Sequence, residues 1–111
     1  MANKFGNFGG GANMQQLMKQ AQVMQQKLAE AQQELEDSEI EGISGNGAVK
    51  VTVNGKYKVL SISISPDVVD KDDVEMLEDL IMVAISDATN KAQELSQELL
   101  APFGGAGGGL L

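Results

Sequence analysis

Residues 45–67 read G-N-G-A-V-K-V-T-V-N-G-K-Y-K-V-L-S-I-S-I-S-P-D, and this run decides the fold. Val49, Val51 and Val53 alternate with Lys50 and Thr52, the period of two expected of a strand with one buried face. Asn54-Gly55 has the composition of a two-residue hairpin turn with positive φ at both residues. Leu60, Ile62 and Ile64 then alternate with Ser61 and Ser63 on a returning strand, and Pro66, which has no N–H to donate, ends the ladder. A two-residue turn would pair Val51 with Lys58 and Val49 with Leu60, bringing lysines onto the valine face near the tip. A longer turn, or a bulge at Val59-Leu60, would avoid this; the spacing alone leaves the choice open. Tyr57 lies close to the hairpin tip in each case.

Just upstream, Ser38-Glu39-Ile40-Glu41-Gly42-Ile43 alternates again and predicts a short first strand with Gly42 as a bulge. Gly45-Asn46-Gly47 joins it to the hairpin. Before it, Asn13 is a suitable N-cap, and no Gly or Pro interrupts Met14 to Glu36. Met14, Leu17, Ala21, Met24, Leu28, Ala31 and Leu35 recur in steps of three and four, a heptad stripe that forms a seam for another helix or a sheet. Glutamine dominates the remaining faces. A helix of about 23 residues runs roughly 34 Å, whereas a strand of about seven residues spans roughly 24 Å, so one end of the helix is expected to overhang the sheet.

Downstream, the spacing predicts a second helix with Asp72 as N-cap and Glu75 closing a capping box. Asp70, Asp73, Glu78 and Asp79 add to the acids at its start, where the helix dipole favours negative charge. These acids lack the central Gly and twelfth-position Glu of a calcium loop, so no metal is expected. From Leu77 to Ile85 the helix is apolar nearly all round, and one three-stranded sheet covers only one stripe of such a helix. Leu77, Leu80, Ile81, Ala84 and Ile85 are therefore expected to meet the same helix of a second subunit. Pro102 closes the helix. The fold class expected is α+β: a two-layer α-β-β-β-α domain with a three-stranded antiparallel sheet, homodimeric.

Composition sets the remaining bounds. The chain has 111 residues, so one domain is expected, over 14–100. The glycine-rich ends, 1–13 and 101–111, with Phe5, Phe8 and Phe103, are expected to be flexible tails. There is no cysteine and no histidine, which removes disulfides, thiolates, imidazole bases and the usual zinc ligands. No pair of carboxylates has a recognisable catalytic spacing, so the expectation is a binding protein, with no cofactor and no small-molecule substrate. No run approaches the ~20 apolar residues of a membrane span, and no membrane partner is expected. Net charge is −8, yet it is unevenly spread: residues 1–29 hold Lys4, Lys19 and Lys27 and no acid, and the hairpin holds Lys50, Lys56 and Lys58. Those hairpin lysines read either as a solvated, edge-protecting strand face or as a contact for an anion.

A Met- and Gln-rich helix, then V-K-V-T-V-N-G within residues 45–59, I-S-I-S-P-D at 62–67 and M-L-E-D-L-I-M-V-A-I-S-D-A at 76–88, resembles the YbaB/EbfC family of bacterial nucleoid-associated proteins. The likeness spans Met14 to Leu100. It implies a homodimer shaped like tweezers, whose protruding helices hold duplex DNA with little sequence preference, in a cytoplasmic, nucleoid-associated setting. On this chain the residues such helices would offer are Lys19, Lys27, Gln16, Gln20 and Gln26 in the first helix and Lys91 in the second. The chain has no arginine, the best bidentate reader of guanine, so affinity would be mostly electrostatic. The alternative is a dimeric interaction protein without DNA binding, such as a prefoldin-like chaperone, which also sets a hairpin between two seam-forming helices.

Overall fold

The computed structural model describes residues 12–104. The elements are α1 (Ala12–Asp37), β1 (Ile40–Ser44), β2 (Val49–Val53), β3 (Val59–Ile64) and α2 (Val74–Leu100). Short 3-10 turns occupy Gly45–Gly47, Pro66–Val68 and Ala101–Phe103. The strands form one antiparallel sheet in the order β1-β2-β3. The α+β class and the α-β-β-β-α order are thus as the sequence predicts. Expectations for 1–11 and 105–111, with Phe5 and Phe8, lie outside the described residues; Phe103 is half-buried at the end of the last turn.

The core lies between the sheet and α2. Val49, Val51 and Val53 are fully buried, and so are Ala84, Ala88 and Ala92, which recur every four residues along one stripe of α2. Small residues on that stripe let the helix come down onto the strands. Gly42 completes the fit: a Cβ on it would fall 2.3 Å from the Ala84 carbonyl oxygen and 2.7 Å from the Ala88 Cβ. Gly42 is not a bulge, as the sequence reading has it. It pairs with Val51 in an unbroken register, and its missing side chain is the space α2 occupies. Ser44 Oγ donates to the Leu80 carbonyl at 2.6 Å, which satisfies a buried hydroxyl at the same seam.

The hairpin differs from the expected two-residue turn. Neither Asn54 nor Gly55 has a positive φ; the left-handed residue is Tyr57, at φ 68°. Val53 pairs with Val59 and Thr52 with Ser61, so Asn54 to Lys58 form a longer loop and Leu60 is the extra residue of a bulge. Both devices act together, and they carry Lys56 and Lys58 off the valine face. Asn54 has a different task. Its buried side chain accepts from Lys56 N at 2.8 Å and Lys58 N at 3.0 Å, and donates to the Glu36 carbonyl at 3.2 Å. Gly55 is a glycine because Leu35 lies against it: an added Cβ would fall 2.6 Å from Leu35 Cδ2 and 2.8 Å from the Leu35 carbonyl oxygen.

Three boundaries shift from the expected ones. Asn13 lies inside α1, not at its cap. The first strand begins at Ile40, two residues later than its alternation suggests, because Ser38 Oγ turns back to the Leu35 carbonyl and closes the helix end. Asp73, not Asp72, caps α2: its Oδ1 accepts from Met76 N at 3.2 Å, while Asp72 N donates to Asp70 Oδ1 in the turn before.

Candidate nucleic-acid interface

α1 is anchored at one end only. Ala31 and Leu35 are buried where the helix meets the hairpin loop, whereas every side chain of residues 13–27 is exposed. A 26-residue helix is about 39 Å long, so more than half of it projects from the body. The described chain is accordingly elongated, 84 × 22 × 16 Å. The heptad stripe is continuous along α1, but only its inner end finds a partner; Met14, Leu17 and Met24 are each more than half exposed.

The projecting part brings together several of the expected site residues. Lys19, Gln20 and Lys27 line one shallow concavity with Val23 and Met24. Gln16 lines the adjoining concavity, which Lys19 shares with Gln15, Met18 and Gln22. Gln26 is exposed on the same helix but lines neither. Residues 12–29 contain two lysines and no acid, and the pattern ends abruptly: Glu30 and Glu34, three and seven positions beyond Lys27, occupy its face nearer the body. Within α1 the favourable surface for an anion is thus confined to the outer part.

Lys91 is placed elsewhere. Its ammonium sits 3.2 Å from Asp87 Oδ2 and donates to the Glu41 carbonyl at 3.1 Å, tying α2 to β1. The same Asp87 oxygen accepts from Ile43 N at 3.0 Å. That backbone hydrogen bond, reinforced by the Lys91 ammonium, holds the Asp87 carboxyl below the usual carboxylate range. Lys56 donates to the Gln32 side chain, and Lys50 stands on the sheet face away from α2, opposite Ser63.

A second surface is apolar. α2 lies over β1 and β2 and leaves the same face of β3 bare. Val59, Leu60 and Ile62 are each nearly half exposed; on α2, Leu77, Ile81 and Ile85 are only partly buried, as is Leu80, which lies against Gly45 at the end of β1. Ala84 differs from these four: it is fully buried under Gly42 of its own chain. The sequence reading singled out the helix side of this surface but not the strand side. The signal was present in the unbroken Val59-Leu60 pair and in a strand without a single charge, unusual for an edge.

Among the described residues no helix is long and apolar enough to cross a membrane. The model of the YbaB/EbfC DNA-binding family matches residues 10–107. A nucleoid-associated protein of Chloroflexus aurantiacus is 51% identical over 98 residues, covering 88% of this chain and 98% of that one. One from Agathobacter rectalis is 51% identical over 108 residues, covering 95% and 96%. The fold resembles the crystal structure of an uncharacterized Helicobacter pylori protein, with a TM-score of 0.69 at 21% identity, covering 80% of this chain and 94% of that one. With a family model spanning nearly all of it and relatives matched at about half identity, the chain belongs to the YbaB/EbfC DNA-binding family.

Proposed function

We propose that this chain is a nucleoid-associated protein that binds duplex DNA as a homodimer, with little sequence preference, through the outer half of α1. The observation that carries this reading is the grouping of Lys19, Gln20 and Lys27 in one concavity on the acid-free, projecting part of α1, in a chain with net charge −8. Such a chain repels phosphates at long range, so a local cationic surface held away from the acidic body is what DNA binding requires of it. Lys19 and Lys27 are eight positions apart, about 12 Å along the axis. That is comparable to the ~12 Å width of the major groove, which lets the two ammonium groups reach phosphates on opposite sides of a groove. Lysine meets phosphate as a point charge, and glutamine amides donate to phosphate oxygens; neither use depends on base sequence.

The second copy covers the bare face of β3 and the flank of α2. Val59, Leu60 and Ile62, with Leu77, Ile81 and Ile85 on α2, offer apolar side chains that a small domain gains by burying. Two copies joined there present two projecting helices, and a duplex held by both gains from the second contact being intramolecular. The setting that follows is cytoplasmic and nucleoid-associated. A gel-shift titration with unrelated duplexes tests the site: Lys19→Glu with Lys27→Glu removes the shift while leaving the melting temperature in place, since both side chains are exposed. Undiminished binding by the double variant rejects α1 as the site.

A further inference from the structure

Between Glu41 and Asp67 the chain has three lysines and no acid, although it carries 16 acids elsewhere. The tip of that run is Lys56-Tyr57-Lys58, all three exposed. Tyr57 is the sole tyrosine, and no tryptophan occurs. Its backbone has φ 68°, a region that bulky L side chains rarely adopt. The surrounding hydrogen bonds hold it there. Tyr57 N donates to the Asn54 carbonyl at 3.0 Å, and Asn54 Oδ1 accepts from the residues on both sides of it, Lys56 and Lys58. Gly55 N donates to the Leu35 carbonyl at 2.7 Å and to Ser38 Oγ at 3.0 Å, fastening the loop to the inner end of α1.

The conformation belongs to the loop: Asn54 N donates to the Lys58 carbonyl at 2.9 Å and Tyr57 N to the Asn54 carbonyl, a three-residue hairpin loop whose last residue is left-handed, and packing leaves Tyr57 49% exposed. The loop leaves an exposed aromatic side chain flanked in sequence by two exposed lysines. Lys56 keeps donors to spare beyond its bond to Gln32. A ring flanked by cations suits a nucleotide whose base face is free, because bases stack on aromatic side chains while lysines meet the neighbouring phosphates. An intact duplex offers no such face along its length.

We propose that Lys56-Tyr57-Lys58 is a second nucleic-acid contact, where Tyr57 stacks on an unpaired base of interrupted or single-stranded DNA and the lysines meet its flanking phosphates. It rests on the DNA-binding reading above but uses none of the α1 residues. The test compares three probes: an intact duplex, the same duplex interrupted by a few unpaired thymidines, and oligothymidylate. The parent protein is expected to bind the interrupted duplex about fivefold or more tightly than the intact one, with quenching of its tyrosine emission. Tyr57→Asn, which suits the left-handed backbone, should lose that preference while holding the intact duplex as before, and Tyr57→Phe should keep it. Binding to intact duplex with no preference for the interruption overturns the hairpin contact and leaves the α1 reading standing. A preference that survives Tyr57→Asn also overturns it. Binding to oligothymidylate alone, lost in Tyr57→Asn, supports the hairpin contact and rejects the α1 reading; binding to none of the three rejects both.

Discussion

Gly42 and Ala88 approach so closely that a Cβ on the glycine would lie 2.7 Å from the alanine's Cβ and 2.3 Å from its backbone nitrogen. No rotamer change relieves a clash with helix backbone. Gly42→Ala is therefore expected to lift α2 from β1 and cost about 1–3 kcal/mol or more, as overpacking of a close-packed core does. Chemical denaturation of the purified variant measures this. A stability equal to the parent's would mean that α2 is not seated on β1 as described.

Asn54→Ala is expected to be at least as damaging. It strips partners from Lys56 N, Lys58 N and the Glu36 carbonyl together. Each polar group left unsatisfied in a part-buried site costs about 1–3 kcal/mol, and a small domain has only about 5–15 kcal/mol in all. A thermal melt shows the loss. Asn54→Asp keeps the two acceptor bonds and gives up only the donor to Glu36, so an intermediate melting temperature is expected.

Most of the fold was legible in the sequence because its signals were local. The valine alternation, the serine-isoleucine alternation and the uninterrupted heptad stripe of α1 each report the period of one element and its apolar face, although only the valine face is buried throughout. What escaped were roles set by contacts distant in sequence. Gly42 read as a bulge and Gly55 as a turn residue, yet each is required by a helix lying against it, Ala84 and Ala88 in one case and Leu35 in the other. Asn54-Gly55 carries the signature of a tight turn, and a buried amide bonded to the end of α1 overrides it. At the candidate site, Lys19, Gln20 and Lys27 followed from the family resemblance, whereas the engagement of Lys91 depends on Glu41, 50 positions away.

The bare face of β3 predicts the assembly state. Light scattering is expected to give about twice the 11.7 kDa chain mass and to hold that value on dilution to micromolar protein. Ile62→Asp places a charge at the centre of the surface on a side chain that is already 47% exposed. It is expected to release monomers without destroying the core, because a charge buried unpaired in an interface costs several kcal/mol. A parent protein that is monomeric at those concentrations would contradict the proposed dimer.

Acid stability depends in part on Asp87. Its carboxyl is held below the usual range by the Ile43 N–H and by Lys91, so the folded state favours the charged form. That contribution is complete above the ordinary carboxylate pKa and is lost as pH falls through the lowered folded value. Asp87→Asn retains an acceptor for Ile43 but does not titrate. Its stability should therefore fall less steeply than the parent's over that acidic window, as followed by denaturation at a series of pH values. Parallel curves would show that the Asp87 contacts add nothing.

The slope of affinity against salt tests the central claim most directly. If Lys19 and Lys27 of each subunit meet phosphates while Lys91 stays bonded to Asp87 and Glu41, a dimer makes four such contacts. Each contributes about 0.9 to the slope of log affinity against log salt, for a total near −3.6. Raising salt fourfold should then weaken binding to an intact duplex by about two orders of magnitude, equally for unrelated sequences. An affinity indifferent to salt, or no binding at the lowest salt, would contradict a lysine-based hold on the DNA backbone by α1.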